Sequence, residues 1–385
     1  MALIEESQRS RAGVRSGAEH DSFIEALRGL AAILVLISHY VVFVREGAGV
    51  WGMAATGVDL FFVLSGFVFA QALGRTGWAL GPYLVRRFFR LYPLYVAALL
   101  LFAFLRPEAQ RWDAWWAHLL MLHTTDSVAL AAYYNIAFWS LPPEVEFYLL
   151  LPLLAGLLAV LSRRTAFGLW WLLGLALLVR VVLVAMAQPG EPPDTLRGAL
   201  TVHLPGLLVE FMLGSMVAVA VGKAQSPNLG ARWSIRACRW AAAFGFFLGL
   251  ALVVVYEHHF STPDLAAQAS TWLSGHFSLL AALAYALMIL GLGWSSSAAR
   301  PNTPLNNTIL SHLALWAGRL SYGVYLFHNA APVLARRWWP ELGGWSLVLV
   351  CVALTMCMAW VLHLLVEAPC RAYGRSLASR WRKAA

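Results

Sequence analysis

FIEALRGLAAILVLISHY, residues 23–40, is the stretch whose reading decides what kind of protein this is. Beyond Arg28 the run is apolar as far as Ser38 and then admits a histidine, His39. Arg28 and His39 are 11 residues apart. At about 100° per residue that separation falls within about 20° of three whole turns, so on a helix both side chains lie on one stripe, about 16 Å apart along the axis. The run is long and apolar enough to cross a bilayer, and an ionisable side chain inside one costs a few kcal/mol unless it meets a partner or a water-filled cavity. His39 is therefore a candidate functional group. The competing reading is a histidine satisfied by a neighbouring helix.

The same character fills the chain. Of 385 residues, 60% are hydrophobic and 12% charged, where soluble domains carry about a quarter charged. Apolar segments of about 20 residues without ten-residue alternation indicate an all-α integral membrane protein and exclude an outer-membrane barrel. Ten spans are predicted, at 26–45, 54–74, 91–106, 144–162, 166–187, 204–222, 240–257, 272–294, 312–334 and 344–366. The net charge of +9 comes from short loops rather than a soluble basic face, which argues against nucleic acid. With the N-terminus inside, 21 of the 28 lysines and arginines fall on inner segments, which predicts cytoplasmic N- and C-termini. Residues 1–22 lack an apolar core before a cleavage site and read as a disordered cytoplasmic tail. Residues 23–371 form the membrane domain, and 372–385 a basic cytoplasmic tail. The outer segments 107–143 and 188–203 suit interfacial helices or a lid. Cys238, Cys351, Cys357 and Cys370 are scattered, giving neither a disulfide framework nor a metal site.

Further candidates follow along the chain. Asp59 could accept a ring N–H from His39 and orient it, or pair with an arginine for structure. Arg87 and Arg90, three apart and followed by Pro93 at the end of a loop, suit a phosphate, although topology alone would also put them there. Ser140, Glu144 and Tyr148 recur every four residues and would line one helical face; Glu146 is a rival carboxylate, and capping is the structural alternative. Arg180 and Glu210 could pair with each other. Tyr322, Tyr325 and His328 sit on an aromatic-rich helix, where His328 could share a cavity with His39 or simply pack. Glu367, Pro369 and Arg371 read as the end of the last helix.

Together, RGLAAILVLISHY (28–40), GVDLFFVLSGFVFA (57–70), RRFFRLYPLY (86–95), WSLPPEVEFYLL (139–150), LSYGVYLFH (320–328) and EAPCR (367–371), in that order and spacing, resemble the membrane acyltransferase-3 family. These are bacterial O-acyltransferases of cell-surface glycans and related acceptors. The resemblance runs from about Phe23 to Arg371 and implies transfer of an acyl group, usually acetyl, from cytoplasmic acyl-CoA to a hydroxyl, without metal. Its motifs fall on Arg28 and His39, on Arg87 and Arg90, and on Ser140, Glu144 and Tyr148. Pro142–Pro143 and Glu146 depart from the usual pattern, as does Ala368-Pro369-Cys370 before Arg371.

The expected arrangement has Arg28, Arg87 and Arg90 holding acyl-CoA, acetyl-CoA by family habit, at the inner face. His39 acts as base or transient acyl carrier, with Asp59 or Glu144 orienting it. Ser140, Tyr148 and His328 contact substrate. The acceptor is a polysaccharide or other glycan, a lipid-linked sugar or a small molecule, and the setting a bilayer, the bacterial inner membrane by family habit; a homo-oligomer is compatible with all of this. The alternative reading is a proton-coupled transporter or flippase, with His39, Asp59 and Glu144 as a relay.

Overall fold

The computed structural model describes residues 23–46, 49–73, 79–164, 168–186, 200, 202–225, 235–268, 271–298 and 309–384. The tail expected at 1–22 lies outside them. Among the described residues every regular element is helical. The first helix, α1, spans 23–40. It is followed by α2 (Gly57–Leu73), α3 (Leu80–Leu105), the short α4 (Trp115–Leu119) and α5 (Val128–Ala131), then α6 (Leu141–Arg164) and α7 (Gly168–Met186). The second half holds α8 (Leu204–Gln225), α9 (Ile235–His259), the short α10 (Pro263–Gln268) and α11 (Thr271–Ala298). It closes with α12 (Ile309–Phe327), α13 (Ala330–Trp338), α14 (Gly344–Leu362) and α15 (Ala368–Ala384).

Nine of the ten expected spans are, among the described residues, helices long and apolar enough to cross a bilayer. The protein is an all-α, multi-span membrane protein. Residues 312–334 differ: α12 stops at Phe327 and α13 resumes at Ala330, with His328 and Asn329 between them. Carbonyls freed by such a break need partners where water is scarce. The Tyr40 hydroxyl donates to the His328 carbonyl at 2.7 Å while meeting Thr355 Oγ1 at 2.7 Å, and Asn135 Nδ2 donates to the Leu326 carbonyl at 3.1 Å.

Two further boundaries differ from the sequence reading. Helix α3 begins at Leu80 rather than at residue 91, and Pro93 lies inside it instead of closing a loop, so Arg86, Arg87 and Arg90 are helical. A proline is tolerated within a membrane helix where neighbours supply hydrogen bonds, and close by the Tyr322 hydroxyl donates to the Leu91 carbonyl at 3.0 Å. The last helix does not end at Glu367: a π-helical segment, His363–Glu367, joins α14 to α15. The stretch 372–384 is helical and lies along α3, with Tyr373 5.2 Å from Phe89 and Gly81 beneath Trp381. Its polar and apolar faces suit a helix at the membrane surface.

Close approaches at glycines set the core. Helices α2 and α8 cross where a methyl on Gly66 would run into the Phe211 carbonyl and one on Gly214 into the Val63 carbonyl. Ser215 Oγ donates across this crossing to the Gly66 carbonyl at 2.9 Å. Without a hydrophobic force between helices in lipid, small residues that let backbones approach are a main source of association. The outward faces of α7 and α9, with Trp170, Leu178, Trp240 and Phe247 exposed, are apolar as lipid requires.

Candidate active site

Four helices each bring one arginine to a single cavity: Arg28 from α1, Arg90 from α3, Arg319 from α12 and Arg371 from α15. The cavity holds about 760 Å³ with its open mouth included. Its walls include Glu25, Ser65, Ser140, Glu144, Tyr322, Tyr325 and Glu367. Small residues make this convergence sterically feasible. A methyl added at Gly29 would lie 2.7 Å from the Ala317 side chain, and one at Gly318 would strike the Glu25 backbone, so α1 and α12 touch where Arg28 and Arg319 emerge. The π-helical segment holds buried Glu367 between His363 Nδ1 at 2.8 Å and Arg371 Nη1 at 3.1 Å.

The cavity carries four guanidiniums against three carboxylates. Arg28 pairs with Glu25 at 3.0 Å and Arg371 with Glu367. Arg90 and Arg319 have no carboxylate within 4 Å among the described residues, which leaves their donor forks for an anion such as phosphate. Arg319, Arg371, Glu25 and Ser65 were not singled out from the sequence as site residues. The one local signal was a carboxylate three or four residues from an arginine, at Glu25–Arg28 and Glu367–Arg371, beside spans otherwise free of charge.

Glu144 lies in the first turn of α6, where the adjacent Pro142 and Pro143 cost no intrahelical hydrogen bond. Its Oε1 accepts from the Tyr148 hydroxyl and, at 3.4 Å, from Ser65 Oγ. Ser140 Oγ meets the Tyr325 hydroxyl at 2.6 Å, so two more cavity residues are tied together. The Tyr325 ring is 6.0 Å from the His328 ring, and His328 is 4.7 Å from His39, edge to face.

Each of these histidines has a defined tautomer. His39 Nδ1 lies 2.9 Å from the Val35 carbonyl, and His328 Nδ1 lies 2.8 Å from the Tyr325 carbonyl. A carbonyl can only accept, so both Nδ1 atoms carry the proton and both Nε2 atoms keep a lone pair. Among the described residues His328 Nε2 is buried without a partner. The His39 ring is thus oriented by its own helix, and neither Asp59 nor Glu144 occupies the Nδ1 position expected of an orienting carboxylate.

Other expected site residues sit elsewhere. Asp59 is buried with Glu210 and Arg180, which also donates to Ser278 Oγ at 3.0 Å. Arg87 is stacked 4.4 Å over the Phe69 ring and lies near Tyr83 and Tyr148, behind the cavity wall rather than on it. Glu146 faces away from Glu144: it bonds His203 Nδ1 and accepts the Leu204 N–H at 2.9 Å, holding the start of α8.

The segment between α3 and α6, outside the spans, buries two stacked histidines, His118 and His123, 4.2 Å apart and 8° from parallel. Burial pushes each down to about 4, with the neighbouring His123 adding to the effect at His118. Unfolded imidazoles take up protons near pH 6.5, before the folded ones do. Their contribution to stability should therefore be constant above about pH 6.5 and fall steadily towards pH 4. The unfolding midpoint of purified protein against pH checks this. A His118→Phe, His123→Phe double variant should flatten the slope, and an equally steep profile would show that these groups are not its source.

The model of a family described as an acyltransferase domain, Acyl_transf_3, matches residues 21–364. The chain is 26% identical over 390 aligned positions to acyltransferase MdmB of Streptomyces mycarofaciens, covering 91% of this chain and 92% of that one. It is 40% identical over 93 positions, 23% of this chain and 47% of the other, to protein 2 in the picA locus of Rhizobium radiobacter. It is 26% identical over 336 positions to peptidoglycan O-acetyltransferase OatA of Listeria monocytogenes, covering 79% of this chain and 48% of that protein. The match thus spans about half the length of the last two relatives. No solved structure matches the chain significantly.

Proposed function

The chain belongs to the acyltransferase family of that model, and from this premise we propose that it moves an acyl group, acetyl in the first instance, from cytoplasmic acyl-CoA to a hydroxyl of a glycan or related acceptor. The observation that carries this reading is the convergence of Arg28, Arg90, Arg319 and Arg371, from four separate helices, on one cavity. Coenzyme A is a polyanion, and guanidinium forks match phosphate oxygens. The excess of basic residues on inner segments supports a cytoplasmic mouth and a bacterial inner-membrane location. His39 stands about 16 Å further along α1 from Arg28, a length that suits a pantetheine arm reaching inward from the phosphates.

In the proposed reaction His39 Nε2 accepts the proton of the acceptor hydroxyl as that oxygen attacks the thioester carbonyl carbon. The tetrahedral adduct collapses by breaking the C–S bond. The imidazolium returns its proton to the departing thiolate, leaving an ester and free coenzyme A. A base near neutral pKa in a water-poor site serves both needs, since water would otherwise compete for the thioester. Glu144, held by Tyr148 and Ser65 in the cavity wall, supports the donor end of this path.

Radiolabelled acetyl-CoA supplied to the purified protein in lipid nanodiscs, with glycan from its host, tests the reading. Base-labile label on the glycan is expected, and none with any acyl-CoA would overturn it. A second expectation separates the arginines. Arg90→Ala and Arg319→Ala should each raise KM for acyl-CoA about tenfold, the loss of one charge-assisted contact, with kcat changed less than threefold. Arg87→Ala, which removes a cation–π stack, should lower the unfolding midpoint while KM stays near its original value. An unchanged KM for Arg90→Ala would count against phosphate binding there.

A further inference from the structure

A second cavity opens at the C-terminal end of α3. Arg106, Tyr133, Tyr134, Asn135 and Asn329 are among the residues that line its volume of about 860 Å³, open mouth included. Arg90 and Arg106 are separated by about 24 Å of helix, the first near the middle of α3 and the second just past its end, so the two cavities lie at different levels along it. They nevertheless share two chain segments. In the segment 135–140, Asn135 faces the second cavity and Ser140 the first; in the segment 325–329, Asn329 faces the second and Tyr325 the first. His328, whose ring touches His39, lies between Tyr325 and Asn329.

We propose that this second cavity is the site of the acceptor, and that it takes a polyhydroxylated ligand, a sugar, at its modified hydroxyl end. The inference rests on the acyl-transfer reading above and adds the place and chemistry of the second substrate. Its polar groups are held in advance. Asn135 Oδ1 accepts from the Ala137 N–H at 3.0 Å and from Asn329 Nδ2 at 2.7 Å, while Asn135 Nδ2 holds the Leu326 carbonyl. That network fixes the Asn329 amide and leaves its Oδ1 as an acceptor for a hydroxyl. The Arg106 guanidinium carbon lies 4.4 Å from the centre of the Tyr133 ring, and the group has no carboxylate within 4 Å among the described residues. The Tyr133 and Tyr134 hydroxyls donate to the Gln110 and Arg111 carbonyls at 2.7 and 2.6 Å, so both rings are pinned. Fixed aromatic walls with a donor fork and an amide acceptor suit a ring that is apolar on its faces and hydroxylated at its rim. An acyl-CoA phosphate, by contrast, would find one cation here against four in the first cavity.

The test uses the full chain returned to its own host after deletion of the chromosomal copy. Ester-linked acyl groups on surface glycan are released by mild base and counted, and acyl-CoA affinity is measured on the same proteins purified in nanodiscs. Arg106→Ala and Asn329→Ala are each expected to lower glycan acylation at least tenfold while acyl-CoA affinity stays within twofold, and Arg106→Lys to recover part of the loss. Acylation unchanged by both alanine variants would overturn the site, and so would loss of acyl-CoA affinity in step with acylation, including any loss through misfolding of both. If the unsubstituted protein adds no acyl group, the acyl-transfer reading itself fails, which is a separate result from either of these.

Discussion

His39→Ala is expected to lower acyl transfer by about a thousandfold, in the middle of the range that a positioned general base supplies. The geometry makes the expectation specific. With Nδ1 committed to the Val35 carbonyl, Nε2 is the basic nitrogen, and no methyl can take its place. Asparagine in place of His39 would retain a polar group without a proton acceptor of suitable pKa and should fare no better. His328→Ala should cost less, about tenfold, since it removes the neighbour of the base rather than the base. Rates measured with saturating acyl-CoA, together with unfolding midpoints, distinguish this from a packing role. A His39 variant that keeps its rate and loses only thermal stability would refute the assignment.

The largest effect on stability is expected at the α2–α8 crossing. Alanine at Gly66 or at Gly214 places a carbon against a backbone carbonyl of the facing helix, which has no rotamer by which to withdraw. The helices must separate, breaking the Ser215 bond to the Gly66 carbonyl and loosening the packing of Phe211 against Phe62 and Phe147. Overpacking costs about 1–3 kcal/mol in cores that can shift side chains, and about 3 kcal/mol or more is expected here, where only backbone can move. Gly156→Ala, facing open space, is the matched control and should be neutral. Equal midpoints for Gly66→Ala and Gly156→Ala in denaturant would show the crossing to be looser than described.

Much of the architecture was legible because it is local: apolar runs of membrane length are visible wherever they occur. The stripe from Arg28 towards His39 needed only helical geometry. Which of Glu144 and Glu146 lines the cavity was not legible, because they are about 200° apart around α6 and which face turns to the cavity is decided by distant residues. His203 and the N–H of Leu204 claim Glu146, leaving Glu144 inward. The same holds for Arg87 and Arg90, equally basic in sequence, where the Phe69 ring takes the first and the cavity the second. For Asp59 the sequence allowed either His39 or an arginine as partner, and its companions are Glu210 and Arg180, two residues read as partners of each other. The only local sign of the break after Phe327 is Pro332 in the first turn of α13, which has no N–H to offer the His328 carbonyl. The break is held by Asn135, Tyr40 and Thr355, side chains remote in the chain from the carbonyls and hydroxyls they meet. The family match decides between the enzyme and the transporter, both of which the composition had allowed.

The π-helical turn at His363–Glu367 acts as a phase offset for everything after it. Shortening the chain there by one residue would restore a regular helix and rotate the terminal amphipathic rod by about 100°. Tyr373 and Trp381 would leave their rests on α3, and Arg371 would swing off the cavity rim. One residue in that turn therefore keys the orientation of the whole carboxyl-terminal arm, as a notch sets the angle of a shaft.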